Sequence, residues 1–149
     1  MELSESLEDY LETILALEKK NKVARVKDIA QKMNILRGSV TGALKKMAEK
    51  DLINYEPYGF ITLTARGLKI AREVTWRHEV IKDFLERVLQ MEPVNAEANA
   101  CRMEHAMDKD AFDRLVSFIE YLKENPETSS KWTGSFAKYY RQKTAKQKK

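Results

Sequence analysis

The sequence is poor in cysteine, glycine and proline, with one, five and three of these residues in 149. One thiol can form neither an internal disulfide nor a multi-cysteine zinc site, which excludes both kinds of scaffold and leaves Cys101 a free thiol. No run approaches the ~18 apolar residues that a membrane helix needs. The first ten residues, MELSESLEDY, are acidic where a secretory signal would be basic and then apolar. We therefore expect a cytosolic protein without a membrane partner.

Charge is unevenly distributed along the chain, and two segments lack one sign altogether, although the net charge is only +4. The last twelve residues hold six basic residues and no acid. Residues 22–50 carry eight basic residues against two acids, whereas residues 1–12 carry five acids and no base. The sequence thus places a segment suited to phosphates beside one suited to cations.

Apolar periodicity predicts a helix-turn-helix in the first third of the chain. Residues 7, 11, 14 and 15 are apolar at the spacing of one buried helix face, and the helix should end at Asn21. A short helix from about Val26, closed by a turn at Asn34, and a third helix from about Arg37 complete the motif. In the third helix we expect apolar residues at 40, 44 and 47 to face the core.

The next segment, LINYEPYGFITLT, alternates apolar and polar residues around Pro57-Tyr58-Gly59. This pattern predicts a β-hairpin, which makes the region a winged helix. Thr64 reads as the N-cap of a long helix to about Gln90, followed by helices over about 95–107 and from Asp108 to about 124. The expected fold is mainly α with a small β-hairpin, a winged helix-turn-helix followed by an all-α region.

The outward face of the third helix predicts contacts with double-stranded DNA. Small hydroxyl and glycine positions there can approach base edges, while neighbouring basic side chains reach phosphates. Two alternatives are a helix-turn-helix used for protein contact and a solvated basic face. The predicted DNA-contact residues are Arg25, Lys27, Arg37, Ser39, Thr41, Gly42, Lys45 and Lys46.

The string CRMEHAM offers three metal-ligand types on one predicted helix face, Cys101, Glu104 and His105. A plainer interpretation makes the cysteine a small core residue, the histidine a hydrogen-bonded core imidazole and the glutamate a solvated acid. An enzyme with Cys101 as nucleophile and His105 as base is disfavoured, because residues one turn apart lack an anion hole and an orienting third group.

Further ligand types elsewhere favour the metal interpretation. His78 is the only other histidine, and the first helix supplies Asp9 and Glu12 one turn apart. If these acids meet CRMEHAM, carboxylates ~4 Å apart repel by about 4 kcal/mol at an effective dielectric of 20, so a divalent cation would be bound strongly. The Lys-rich segment after Lys138 predicts a frayed, solubilising terminus, with an added DNA contact as the alternative.

Taken together, four motifs resemble the diphtheria toxin repressor family of metal-dependent transcriptional regulators, including its manganese transport regulator branch. They are EDYLETI, the winged helix ending in LTARG, Arg77-His78-Glu79 and Cys-x-x-Glu-His, and the resemblance covers about residues 4–124. It implies a homodimer that binds operator DNA near metal-uptake genes when Mn(II) or Fe(II) is plentiful. It also implies a winged-helix DNA-binding domain over 1–72, a helical metal-binding and dimerisation domain over 73–138, and a basic tail over 139–149.

The resemblance implies a metal-ligand set that mixes two branches of the family. Five residues match ligand positions of the manganese branch, and Cys101 stands where that branch has glutamate and the iron branch has cysteine. Lys82 and Glu97 stand where the iron branch's ancillary site has a glutamate and a histidine. A thiolate shifts preference from Mn(II) toward Fe(II), Co(II) or Zn(II). The alternative function is a metal-independent winged-helix regulator that senses a small organic ligand. The implied ligands are Asp9, Glu12, His78, Cys101, Glu104 and His105.

Overall fold

The computed structural model describes residues 3–56 and 59–147, which form seven α-helices and two β-strands. This confirms the mainly α fold with one hairpin. The chain divides into two compact units between Trp76 and Arg77, inside α4. The domain bounds implied by the resemblance stay a prediction. The elements are α1 (Glu5–Asn21), α2 (Val26–Met33), α3 (Arg37–Glu49), β1 (Ile53–Tyr55), β2 (Ile61–Leu63), α4 (Ala65–Asp83), α5 (Pro93–Met103), α6 (Lys109–Glu124) and α7 (Pro126–Gln147).

The end of α1, both ends of α2 and the start of α3 lie where the sequence predicts. α1 ends at Lys22 with φ 70°, and α2 ends at Asn34 with φ 56°, both in the left-handed conformation that stops a helix. Asparagine adopts that conformation at low cost because its short polar side chain bonds locally. In α3, Val40, Leu44 and Met47 are fully buried, so the opposite face of the helix is exposed.

The predicted hairpin is present, with β1 antiparallel to β2 and Ile53 paired with Leu63. Pro57 and Tyr58, which the sequence places in its turn, lie outside the described residues. The structure adds a bridge that the sequence did not indicate. The backbone N–H of Ala24 donates to Ile61 O at 3.1 Å, and the N–H of Ile61 donates to Ala24 O at 2.9 Å. The segment that leads into α2 is thereby tied to the wing.

The start of α4 is fixed by a cap and a close backbone approach. Thr64 Oγ1 accepts a hydrogen bond from the N–H of Gly67 at 3.1 Å, which confirms Thr64 as the N-cap. A Cβ at Gly67 would lie 1.9 Å from the carbonyl oxygen of Leu52, so only glycine fits there. The helix is α-helical to Asp83 and then π-helical over Phe84–Val88. The sequence did not predict this wider turn.

The following helix starts and stops earlier than predicted. α5 covers Pro93–Met103 rather than 95–107. Proline suits the first helical position because its missing N–H has no partner there and its φ is already helical. Residues 104–106 therefore form a turn, and His105 lies beyond the helix. Asp108 then caps α6 as predicted, accepting from the N–H of Ala111 at 2.8 Å.

The C-terminal segment corrects the expectation of a frayed tail, because Pro126 starts a new helix that runs to Gln147. Aromatic residues at i, i+4 spacing stack along it, with ring centroids of Trp132 and Phe136 6.0 Å apart and of Phe136 and Tyr140 6.2 Å apart. Such pairs stabilise a helix, which explains why this basic segment keeps helical structure. Lys148 and Lys149 lie outside the described residues.

The core of the second unit holds the helices that carry the candidate metal ligands. Ile81 and Leu85, from α4 and its π-helical end, pack with Ala96 and Ala100 of α5 and with Phe112 of α6. The small residues Ala96 and Ala100 allow α5 to pack closely against its neighbouring helices. Among the described residues, no helix is long and apolar enough to cross a membrane.

Candidate metal centre and DNA-contact face

His78 of α4 lies at the centre of a polar cluster in the second unit. The residue is 5% exposed, and its two ring nitrogens face different carboxylates. Nδ1 lies 2.7 Å from Glu104 Oε2, and Nε2 lies 3.2 Å from Glu97 Oε1. A buried imidazole held at both nitrogens has a fixed ring orientation, which a metal ligand requires.

Glu104 supplies the most deeply buried carboxylate of the cluster. The residue is 2% exposed, and its backbone N–H donates to Ala100 O at 3.0 Å, which fixes it at the end of α5. Its Oε1 lies 3.3 Å from His105 Nε2, but without hydrogen-bond geometry, so this oxygen has no hydrogen-bond partner among the described residues. A buried oxygen left without a bond costs about 1–3 kcal/mol. A cation at this oxygen would remove that cost.

Cys101 adds a thiol to the same cluster. Its Sγ lies 3.9 Å from His78 Nδ1. One ligand atom each from His78, Glu97 and Cys101 lie within 4.8 Å of one another. Imidazole, thiolate and carboxylate are all ligands for divalent transition metals, and the residue types present therefore fit such an ion.

The turn after α5 keeps Glu104 and His105 in the cluster although the predicted helix is shorter. Glu104 has φ −60° and ψ −31°, so its backbone continues the helical path by one residue. The structure therefore brings four of the six sequence-predicted ligands together in the second unit. Asp9 and Glu12 lie one turn apart on α1, in the first unit. That they bind the same ion stays a prediction.

Glu97 and Lys82 form part of the cluster, although neither is among the ligands predicted from the sequence. Lys82 Nζ lies 2.7 Å from Glu97 Oε2. This hydrogen bond is the largest cause that lowers the pKa of Glu97 and raises the pKa of Lys82. A signal was present: His78 and Lys82 are four residues apart on α4, as are Glu97 and Cys101 on α5.

The predicted DNA-contact residues surround the exposed face of α3 in the first unit. A groove of about 580 Å³ is lined by five of them, together with Tyr55 and Phe60 of the hairpin region. The other three, Ser39, Gly42 and Lys46, are exposed on α3. The five in the groove are Arg25, Lys27, Arg37, Thr41 and Lys45.

Three details adapt this face to a close partner. The guanidinium carbon of Arg25 lies 5.2 Å from the centroid of the Phe60 ring, a cation–π contact that holds the charge beside the wing. A Cβ at Gly42 would meet no atom of the described residues within 4 Å, so this part of α3 is open to approach. Thr41 Oγ1 donates to Arg37 O at 3.1 Å, which leaves its oxygen available as an acceptor.

Known proteins resemble both units. The family described as "Iron dependent repressor, N-terminal DNA binding domain" matches residues 2–61, and "Iron dependent repressor, metal binding and dimerisation domain" matches residues 64–133. An uncharacterised HTH-type transcriptional regulator of Methanocaldococcus jannaschii is 37% identical over 123 residues, covering 82% of this chain and 98% of that protein. The HTH-type transcriptional regulator MntR of Shouchella clausii is 35% identical over 120 residues, covering 80% of this chain and 83% of that protein.

A solved structure, that of the manganese regulator SloR, has a TM-score of 0.69 and 28% identity, covering 77% of this chain. This chain spans 54% of the length of SloR. A winged DNA-binding unit joined to a metal binding and dimerisation domain defines a class of metal-dependent transcriptional regulators. The chain belongs within that class to the iron-dependent repressor family, which includes the diphtheria toxin repressor and the MntR regulators.

Proposed function

We propose that this chain represses metal-uptake genes when Mn(II) or Fe(II) is plentiful. The observation that carries the proposal is Glu104 Oε1, a buried carboxylate oxygen without a hydrogen bond among the described residues, beside His78, Cys101 and His105. The metal-free site stores an energetic cost that a bound cation removes. Metal binding therefore stabilises the arrangement of the second unit.

The proposed ligand set combines hard and soft donors. Carboxylates favour Mn(II), the imidazoles suit Fe(II), Co(II) and Zn(II), and the Cys101 thiolate moves the preference toward the softer ions. The thiol is exposed and an oxidised sulfur would be lost as a ligand, so binding should be measured without oxygen. The proposed ligands are Asp9, Glu12, His78, Cys101, Glu104 and His105.

Metal binding acts on the DNA-binding unit through the two carboxylates on α1. With Asp9 and Glu12 on the same ion as the second unit's ligands, the ion fixes the angle between the two units. In a twofold dimer this sets the separation of the two α3 helices near ~34 Å or a multiple, which matches half-sites on one face of a duplex. A coupling of ~1–3 kcal/mol changes DNA affinity about 5- to 150-fold.

The test is operator affinity with a chelator and with each of Mn(II), Fe(II), Co(II) and Zn(II), under anaerobic conditions. Metal should strengthen operator binding about 5- to 150-fold. Asp9→Ala and His105→Ala should remove the response, whereas Glu5→Ala, which removes an exposed acid from the first turn of α1, should keep it. Full-strength, metal-independent binding by the first two variants would refute the switch and favour a regulator of another ligand class.

A further inference from the structure

Two charged side chains, Lys82 and Glu97, lie beside the proposed ligand His78 without being proposed ligands themselves. Lys82 Nζ lies 2.7 Å from Glu97 Oε2, and Glu97 Oε1 lies 3.2 Å from His78 Nε2. The lysine and the histidine come from one face of α4, and the glutamate comes from α5. Both oxygens of Glu97 therefore have a partner, Oε2 the Lys82 ammonium group and Oε1 the His78 imidazole.

The two nitrogens of His78 have different surroundings. Nδ1 faces Glu104 at 2.7 Å and the Cys101 sulfur at 3.9 Å, both of which are proposed metal ligands. Nε2 faces a carboxylate that is already bound to an ammonium group. An imidazole that donates its second N–H to a carboxylate is fixed in tautomer and orientation, and its other nitrogen becomes the better metal ligand.

We propose that Glu97, held by Lys82, is a positioning residue that accepts the Nε2–H of His78 and leaves Nδ1 to the ion, without binding an ion itself. This inference rests on the proposed function. Lys82 Nζ, 2.7 Å from Glu97 Oε2, holds the carboxylate in position while its other oxygen faces His78 Nε2 at 3.2 Å. The Lys82 ammonium group, 2.7 Å from Glu97 Oε2, would repel a cation that bound to this carboxylate.

The competing arrangement makes Glu97 a ligand. His78, Glu97 and Cys101 each offer an atom within 4.8 Å of the others, which is close enough to hold an ion. The two arrangements differ in the number of ions bound per chain and in the effect that Glu97→Gln would have on metal affinity. An amide oxygen accepts the same N–H as a carboxylate, but it is a much weaker ligand for a divalent cation.

The experiment is anaerobic calorimetric titration of Mn(II) and Co(II) into the full chain and two variants, Glu97→Ala and Glu97→Gln. Glu97→Ala should weaken binding about 10- to 100-fold with the same number of ions per chain, the range seen when such a partner is lost. Glu97→Gln should recover most of that affinity. Co(II) absorption should show unchanged coordination in Glu97→Gln. Glu79→Ala is the matched control, because it removes an exposed acid whose charge also acts on Lys82, and it should bind like the unaltered chain.

Loss of one ion per chain in Glu97→Ala would show that Glu97 is a ligand and overturn the inference. Unchanged affinity in Glu97→Ala, or no recovery in Glu97→Gln, would overturn it as well. A chain that binds no ion at all would overturn the proposed function together with this inference. Thermal unfolding of the metal-free variants verifies that each has folded.

Discussion

Replacing Glu104 by glutamine changes one atom and tests the proposed metal centre most directly. The side chain keeps its size, but the buried negative charge is lost. In the unaltered chain, Oε1 bears the cost of a buried oxygen without a hydrogen bond among the described residues, about 1–3 kcal/mol, which an ion removes. That free energy corresponds to a factor of about 5–150 in the dissociation constant. Glu104→Gln should weaken binding of every divalent ion by at least this factor.

The consequence for stability follows from mass action. At a free metal concentration 100 times the dissociation constant, an ion stabilises the folded chain by about 2.7 kcal/mol. With binding 5- to 150-fold weaker, the same concentration stabilises the variant by only about 0.3–1.8 kcal/mol. At ~2–4 °C per kcal/mol for a chain of this size, the metal-induced rise in unfolding midpoint should shrink by about 2–10 °C.

The assay is thermal unfolding followed by circular dichroism, with chelator and with Mn(II), for Glu104→Gln and for Glu124→Gln. Glu124 is an exposed acid at the end of α6, so its replacement should leave the metal-induced rise unchanged. The metal-free midpoint of Glu104→Gln should be equal or higher, because an amide buries no charge. An unchanged metal response in Glu104→Gln would refute the reasoning.

Two further predictions concern the first unit. Gly67→Ala should destabilise the chain by at least ~1–3 kcal/mol in urea unfolding, because its Cβ would lie 1.9 Å from Leu52 O, whereas Gly134→Ala in α7, with open space around it, should stabilise by about 0.5–1 kcal/mol. Equal effects of the two changes would contradict this account. Lys45→Ala should weaken DNA binding and reduce the slope of log affinity against log salt by about 1, while Lys123→Ala on α6 should alter neither. A salt slope that stays constant in Lys45→Ala would exclude a phosphate contact.

Local signals in the sequence predicted most of the fold. The end of α2 at Asn34, the Thr64 cap and the Asp108 cap each depend on residues within one turn, and each is confirmed. The differences arise where local signals are ambiguous. Pro93 and Pro126 both stand in the first turn of a helix, where proline is favoured, so α5 begins before the predicted residue 95 and α7 forms where no helix is predicted.

The candidate site could be predicted only in part. Residue types and i, i+4 spacings identified His78, Cys101, Glu104 and His105, and the structure brings these together. Packing between α4 and α5 determines which oxygen of Glu104 has no hydrogen bond among the described residues, and no local pattern encodes that packing. The same holds for Glu97, whose partners lie on another helix.

The bridge between Ala24 and Ile61 anchors the wing at its base. Two reciprocal backbone bonds join Ile61 of β2 to Ala24 in the segment entering α2, so a displacement of β2 is transmitted to the start of that helix. A longer loop between β1 and β2 would leave this backbone bridge in place. The length of that loop can thus change during evolution while the base of the wing stays attached to the segment entering α2.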